Sequence, residues 1–95
     1  MEYEIKIRGL GKLRSLNSAL KLDLDPTITI KSLFGKLKSI VNELNNVLTS
    51  KNDPLMGVLI LVNEVDYRLI NNREIRDVVE GNTITITIIP VSHGG

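Results

Sequence analysis

A chain of 95 residues, 42% apolar and 24% charged, has room for one small core and excludes disordered and fibrous classes. A formal net charge of +1 and only Tyr3, Phe34 and Tyr67 as aromatics argue against a nucleic-acid surface, and the absence of cysteine excludes disulfides, thiolate metal sites and a cysteine nucleophile. No apolar run approaches the ~20 residues that span a bilayer, and Met1-Glu2-Tyr3-Glu4 lacks the regions of a signal peptide, so the expectation is a cytoplasmic protein with no membrane and no direct nucleic-acid partner.

Tyr3, Ile5 and Ile7 alternate with Glu4, Lys6 and Arg8, the period of a strand with one wet face. Gly9 and Gly11 bracket a turn. Leu20, Leu22 and Leu24 alternate with Lys21 and Asp23, so the two stretches predict an N-terminal hairpin with a long connection. From Ile30 the apolar positions Leu33, Phe34, Leu37, Ile40, Val41, Leu44, Val47 and Leu48 follow helical spacing and predict one helix over 30–48. Thr29 fits as its N-cap, Ile28 as a staple residue against Leu33, and Pro26 keeps the helix from starting earlier. Gly35 inside that helix implies either a closely approaching strand or a tolerated weakness.

Thr49 to Pro54 is a polar loop, Val58 to Val62 a continuous apolar run predicting a buried strand, and Tyr67 to Ile70 a short strand broken by Asn71 and Asn72. Thr83 to Ile89, with Ile84, Ile86 and Ile88 alternating with threonines, is the strongest strand signal. Strand, strand, helix, strand, short strand, strand predicts an α+β roll: a mixed sheet of roughly four or five strands packed on one main helix, in one domain over 1–95. Pro90 lacks an amide donor and is read as ending the ladder, leaving a flexible tail over 91–95.

Few residues invite catalysis. There is no nucleophile–base pair, phosphate loop or metal-ligand spacing, and His93 is too isolated for a metal site or a triad. Asp23, Asp25, Asp77 and Glu80 read as solvated turn residues, and Lys6, Arg8 and Arg68 as residues on exposed strand faces. Ile60, Val62 and Ile89 lie in strands with two apolar faces, and the reading leaves open whether they form a partner-binding patch or are covered by Pro54, Met56 or a loop.

The order of elements resembles the β-grasp fold of ubiquitin. Asp25-Pro26-Thr27-Ile28-Thr29-Ile30 is similar to the strand-to-helix junction of ubiquitin-like proteins, and Val79-Glu80-Gly81-Asn82-Thr83-Ile84 resembles the turn before the last strand of sulfur carriers. Pro90-Val91-Ser92-His93-Gly94-Gly95 resembles the ending of the ubiquitin-related modifier family and its archaeal relatives, with the molybdopterin-synthase small subunit and the thiamine sulfur carrier next. The Thr49–Pro54 loop is long for the smallest sulfur carriers and favours the modifier-like branch.

The resemblance implies that the chain is not an enzyme but a substrate and carrier, needing no cofactor of its own. A separate ATP-dependent activating enzyme, an adenylyltransferase, would adenylate the Gly95 carboxylate. Sulfur from a donor protein would then give a thiocarboxylate for tRNA thiolation or molybdopterin synthesis, or a lysine of a target protein would accept the chain as an isopeptide. Gly94 and Gly95 suit this chemistry, because a chain without Cβ atoms threads a narrow channel and leaves the carbonyl open to attack. His93, Ser92, Val91, Ile89, Ile60, Val62 and Arg68 are the candidate partner contacts, and a monomer is expected. Lysines 6, 12, 21, 31, 36, 38 and 51 could themselves accept a modifier, with nothing to single one out. A non-reactive β-grasp interaction module is the competing reading.

Overall fold

The computed structural model describes residues 1–91 of the chain. Strand β1 (Glu2–Gly9) is followed by a 3-10 turn over Gly11–Leu16 and then by β2 (Ser18–Asp23), its antiparallel neighbour. This hairpin closes through Gly9, where an added Cβ would lie 1.9 Å from the Leu13 carbonyl oxygen. The Asn17 side chain fills the last ladder position, accepting from the Gly9 amide at 2.7 Å.

Helix α1 (Ile30–Ile40) begins as the sequence implies, with the Thr29 hydroxyl accepting from the Ser32 amide at 3.1 Å. It ends earlier than periodicity predicts. Val41 leaves helical angles at φ −108°, ψ 88°, and Asn42–Asn46 form a 3-10 helix. The Asn45 side-chain amide donates to the Asn42 carbonyl at 2.9 Å, a local bond that competes with continued α-helix. Leu44, Val47 and Leu48 are nevertheless buried, which is why the apolar pattern runs on past the helix.

Strand β3 (Val58–Val62) turns through Asn63 (φ 47°) and Glu64 (φ 71°) into β4 (Val65–Asp66), the positive-φ pair that suits a tight hairpin. The segment Tyr67–Ile70 is helix α2 and not the strand its composition suggests. The Asp66 carboxylate accepts from the Arg68 amide at 2.9 Å and starts the helical turn, while Tyr67 buries its ring 4.6 Å from that of Phe34. A further short helix, α3 (Ile75–Val78), precedes β5 (Thr83–Pro90) and was not foreseen from the sequence. It is pinned under the start of α1 by Ile75 N–H donating to the Ile28 carbonyl at 2.9 Å and Arg76 N–H to the Pro26 carbonyl at 3.0 Å.

The sheet order is β2-β1-β5-β3-β4, mixed because β1 and β5 run parallel at its centre while the other neighbours are antiparallel. Tyr3, Ile5 and Ile7 of β1, Ile60 and Val62 of β3 and Ile84, Ile86 and Ile88 of β5 face α1, whose Leu33, Phe34 and Leu37 complete the core. Gly35 is explained by the polar loop and not by a strand: a Cβ there would meet the Asn52 side chain at 3.0 Å.

That loop is built as a small structure of its own. Thr49 Oγ1 accepts from the Lys51 and Asp53 amides at 3.2 and 3.1 Å, and Tyr67 Oη donates to the Asn52 carbonyl at 2.5 Å. Lys31 reaches the Asp53 carboxylate at 3.2 Å, and Lys38 donates to the Thr49 carbonyl at 3.0 Å.

Candidate functional site at the exit of the last strand

Strand β5 presents Ile84, Ile86 and Ile88 to the core and its threonines to the other face. Its ladder to β3 reaches Pro90, which sits opposite Val58, and does not stop there: the Val91 amide donates to the Gly57 carbonyl at 2.8 Å. The missing Pro90 donor therefore does not end the pairing, because in an antiparallel ladder alternate amides point away from a given neighbour. The chain is still held at Val91.

Gly57 adopts φ +82°, a region open to glycine, and this carries the backbone from the Leu55 turn into β3. Together the 54–57 turn, Val58, Leu59, Arg68 and Val91 line an open groove of about 470 Å³. Met56 is 96% exposed at its rim. Arg68 Nη2 lies 3.6 Å from an Asp66 carboxylate oxygen and is solvated, so the groove has one basic wall beside apolar ones.

The structure brings Val91 and Arg68 together as the sequence reading grouped them, with Arg68 on α2 and not on a strand face. Ile89 is half-buried on the outer face, opposite Leu59. Ile60 and Val62 must be corrected: they are 1% and 0% exposed, register with Ile88 and Ile86, and cannot contact a partner. The residues of β3 available on the outer face are Leu59 and Leu61, both half-buried. A continuous Val-Leu-Ile-Leu-Val run has no alternation to reveal which face is wet, so the β5 register decides it. Ser92, His93, Gly94 and Gly95 lie outside the described residues.

Sequence reasoning missed the 54–57 turn, although a glycine placed just before a strand was the available signal. Among the described residues no cluster of His, Cys, Asp and Glu could hold a metal ion, and no helix is long and apolar enough to cross a membrane.

Comparison with protein-family models and with curated protein sequences returned no match. Comparison with solved structures did. The chain is similar to Urm1 from Trypanosoma brucei, with 25% identity, a TM-score of 0.63 and coverage of 99% of this chain and 97% of that one. SAMP1 from Haloferax volcanii superposes with a TM-score of 0.66 at 13% identity, covering 97% of this chain and 99% of that one. The small archaeal modifier protein 1 of Methanosarcina acetivorans gives 0.59 at 19% identity, covering 100% and 99% respectively. The architecture is the β-grasp fold of ubiquitin-like proteins.

Proposed function

We propose that this ubiquitin-like chain is a protein modifier or sulfur carrier whose reacting group is the carboxylate of Gly95, adenylated by a separate ATP-dependent activating enzyme. The observation that supports the reading is the combination of a β-grasp body, similar along its whole length to a Urm1 structure, with a sequence that places Gly94-Gly95 four residues after the last strand.

The chemistry follows from the residue types. A carboxylate is a poor electrophile, and ATP converts it to an acyl adenylate with loss of pyrophosphate. Attack by the terminal sulfur of a partner's persulfide displaces AMP and gives an acyl disulfide, which a thiol reduces to the thiocarboxylate as a new disulfide forms on the partner's side; attack by a lysine amine displaces AMP and leaves an isopeptide. Gly94 and Gly95 carry no side chain to obstruct either approach. The body contributes position. With Val91 tied to Gly57, the segment that follows starts from a fixed point beside the Arg68 and Met56 groove, and Val91, Arg68 and Ile89 are the contacts we assign to the activating enzyme. His93 and Ser92 are further contacts we assign to the same enzyme.

Intact mass spectrometry of the chain from its native cells, under thiol-protecting conditions, tests this beside a variant lacking Gly95. Replacement of one C-terminal oxygen by sulfur identifies a carrier, and Gly-Gly remnants on target lysines identify a modifier. A terminus that is always a free carboxylate, with the truncated variant behaving as wild type, would instead favour a non-reactive interaction module.

A further inference from the structure

We propose that the hollow between the two 3-10 segments is an anchoring site for arginine, which takes one arginine side chain presented by a partner protein. The inference rests on this hollow alone and not on any chemistry at Gly95.

The 3-10 geometry of both walls makes the hollow. In a 3-10 helix the side chains at i and i+3 eclipse, so residues three apart share one face. On the Gly11–Leu16 segment that pair is Leu13 and Leu16, and on Asn42–Asn46 it is Glu43 and Asn46. With Ser15 and Val47 these residues border a space of about 100 Å³. That is the room of roughly three liquid waters, too little for a peptide backbone and enough for the end of one long side chain.

The lining is apolar below and polar above. Leu16 and Val47 are buried, and Leu13 is packed half-buried against the core. Ser15, Glu43 and Asn46 are exposed. Glu43 takes part in none of the ion pairs among the described residues. The local hydrogen bonds of its segment are made by the Asn45 side chain, to the Asn42 carbonyl at 2.9 Å, and not by Glu43 or Asn46.

Chemistry selects the occupant. Two carboxylate oxygens, a hydroxyl and an amide offer acceptors around an apolar floor, which suits a group with many donors, no acceptor and an apolar stem. Guanidinium fits best, because its planar fork meets the Glu43 carboxylate with two donors and keeps others for Ser15 and Asn46. A lysine ammonium concentrates three donors at one point, and a leucine would desolvate the polar rim without bonding it. Lys12 and Arg14 flank Leu13 in the chain, yet neither pairs with Glu43, and their opposition to an incoming cation acts through screening solvent.

The hollow sits at the end of the molecule where β5 finishes. One wall begins at Gly11, where an added Cβ would lie 3.7 Å from Pro90 Cγ. The other is tied to the 54–57 turn by the Leu55 amide, which donates to the Val47 carbonyl at 2.9 Å. It nevertheless shares no lining residue with the Met56 groove, so the two can be tested apart.

The test titrates the full chain, labelled with 15N, with the acetylated and amidated peptide Gly-Ala-Arg-Ala-Gly. Saturable amide shifts confined to residues 13–16 and 43–47 are expected. The same peptide with citrulline, which keeps the shape and loses the charge, should bind about tenfold more weakly, and the lysine peptide should fall between them. Glu43→Gln should cost the arginine peptide a similar factor while leaving the rest of the spectrum unchanged, and Ser15→Ala should cost about threefold. The proposal is overturned by equal binding of the arginine and citrulline peptides, by shifts that map to other carboxylates or to the Met56 groove, by indifference to Glu43→Gln, or by no binding at all. Concentration-dependent shifts at 13–16 and 43–47 without peptide would also overturn it, since the occupant would then be a second copy of the chain. Each of these outcomes leaves the reading of Gly95 untouched, and loss of Gly95 leaves this site untouched.

Discussion

The two edges of the sheet are finished in opposite ways. At the β4 edge the strand has two residues and passes at once into α2, which Asp66 caps and which the Tyr67 hydroxyl ties to the 49–54 loop. At the β2 edge a six-residue strand has no neighbour on its outer side among the described residues. Asp66 and Tyr67 at the first bond within the molecule, while the outward backbone groups of Ala19, Lys21 and Asp23 at the second have no partner among the described residues. The difference shows that a small domain can spend its limited polar bonding unevenly, rigid beside the point where the chain leaves the body and available on the far side.

The largest test of this contrast falls where the open edge is attached. Gly9→Ala places a methyl group against the Leu13 backbone and should lower stability by about 3 kcal/mol in urea unfolding, because backbone and not a flexible side chain must move. At the closed edge, Tyr67→Phe keeps the ring on Phe34 but strands the Asn52 carbonyl, for an expected loss of about 1.5 kcal/mol.

The same tyrosine gives a pH signature. Burial, and then the nearby Asp53 carboxylate, push its hydroxyl well above the ordinary 10.0. The folded chain therefore holds this proton after the unfolded chain has lost it. Stability attributable to Tyr67 is fully present below pH ~10 and falls as pH rises towards the elevated folded value. Unfolding midpoints measured across alkaline pH should show that decline in the wild type and a shallower one in Tyr67→Phe. A decline of equal slope in both would mean that the buried hydroxyl is not what closes this edge.

Smaller effects sharpen the contrast. Asp66→Ala removes the α2 cap and should cost about 1 kcal/mol, read as a lower urea midpoint. Lys21→Glu, on the open edge, sets a second carboxylate opposite Glu4 and should cost only about 0.5 kcal/mol, the size of one exposed cross-strand pair. A large loss there would show that the edge is structural after all.

Much of this was legible in the sequence, and the failures have physical causes. Strands with strict alternation, 3–7 and 83–89, were readable because one face is wet, and Thr29 announced the helix start through its capping chemistry. The helix end was hidden because the 3-10 segment Asn42–Asn46 keeps sending Leu44 and then Val47 inward, so periodicity could not register the change of geometry. Tyr67–Ile70 has strand-like composition, yet Asp66 caps it and the Tyr67 ring is drawn onto Phe34, so tertiary context overrode propensity. Ile60 and Val62 were misassigned because a run with no polar residue carries no face label. At the candidate site, Val91 and Arg68 could be grouped from sequence, whereas the 54–57 turn owes its place to Gly57 at φ +82°.

The parallel pairing of β1 with β5 has a consequence for the birth of the molecule. Ile5 and Ile84 are neighbours at the middle of the sheet, so the central seam joins the first strand to the last. A chain emerging from the ribosome can form the β1–β2 hairpin and α1 early, but the apolar face between them stays half covered until residues 83–90 have also emerged. A chain cut short before β5 would lack the parallel partner of β1 and would leave the Tyr3, Ile5 and Ile7 stripe half covered, so the last strand to be made is also the one that closes the core.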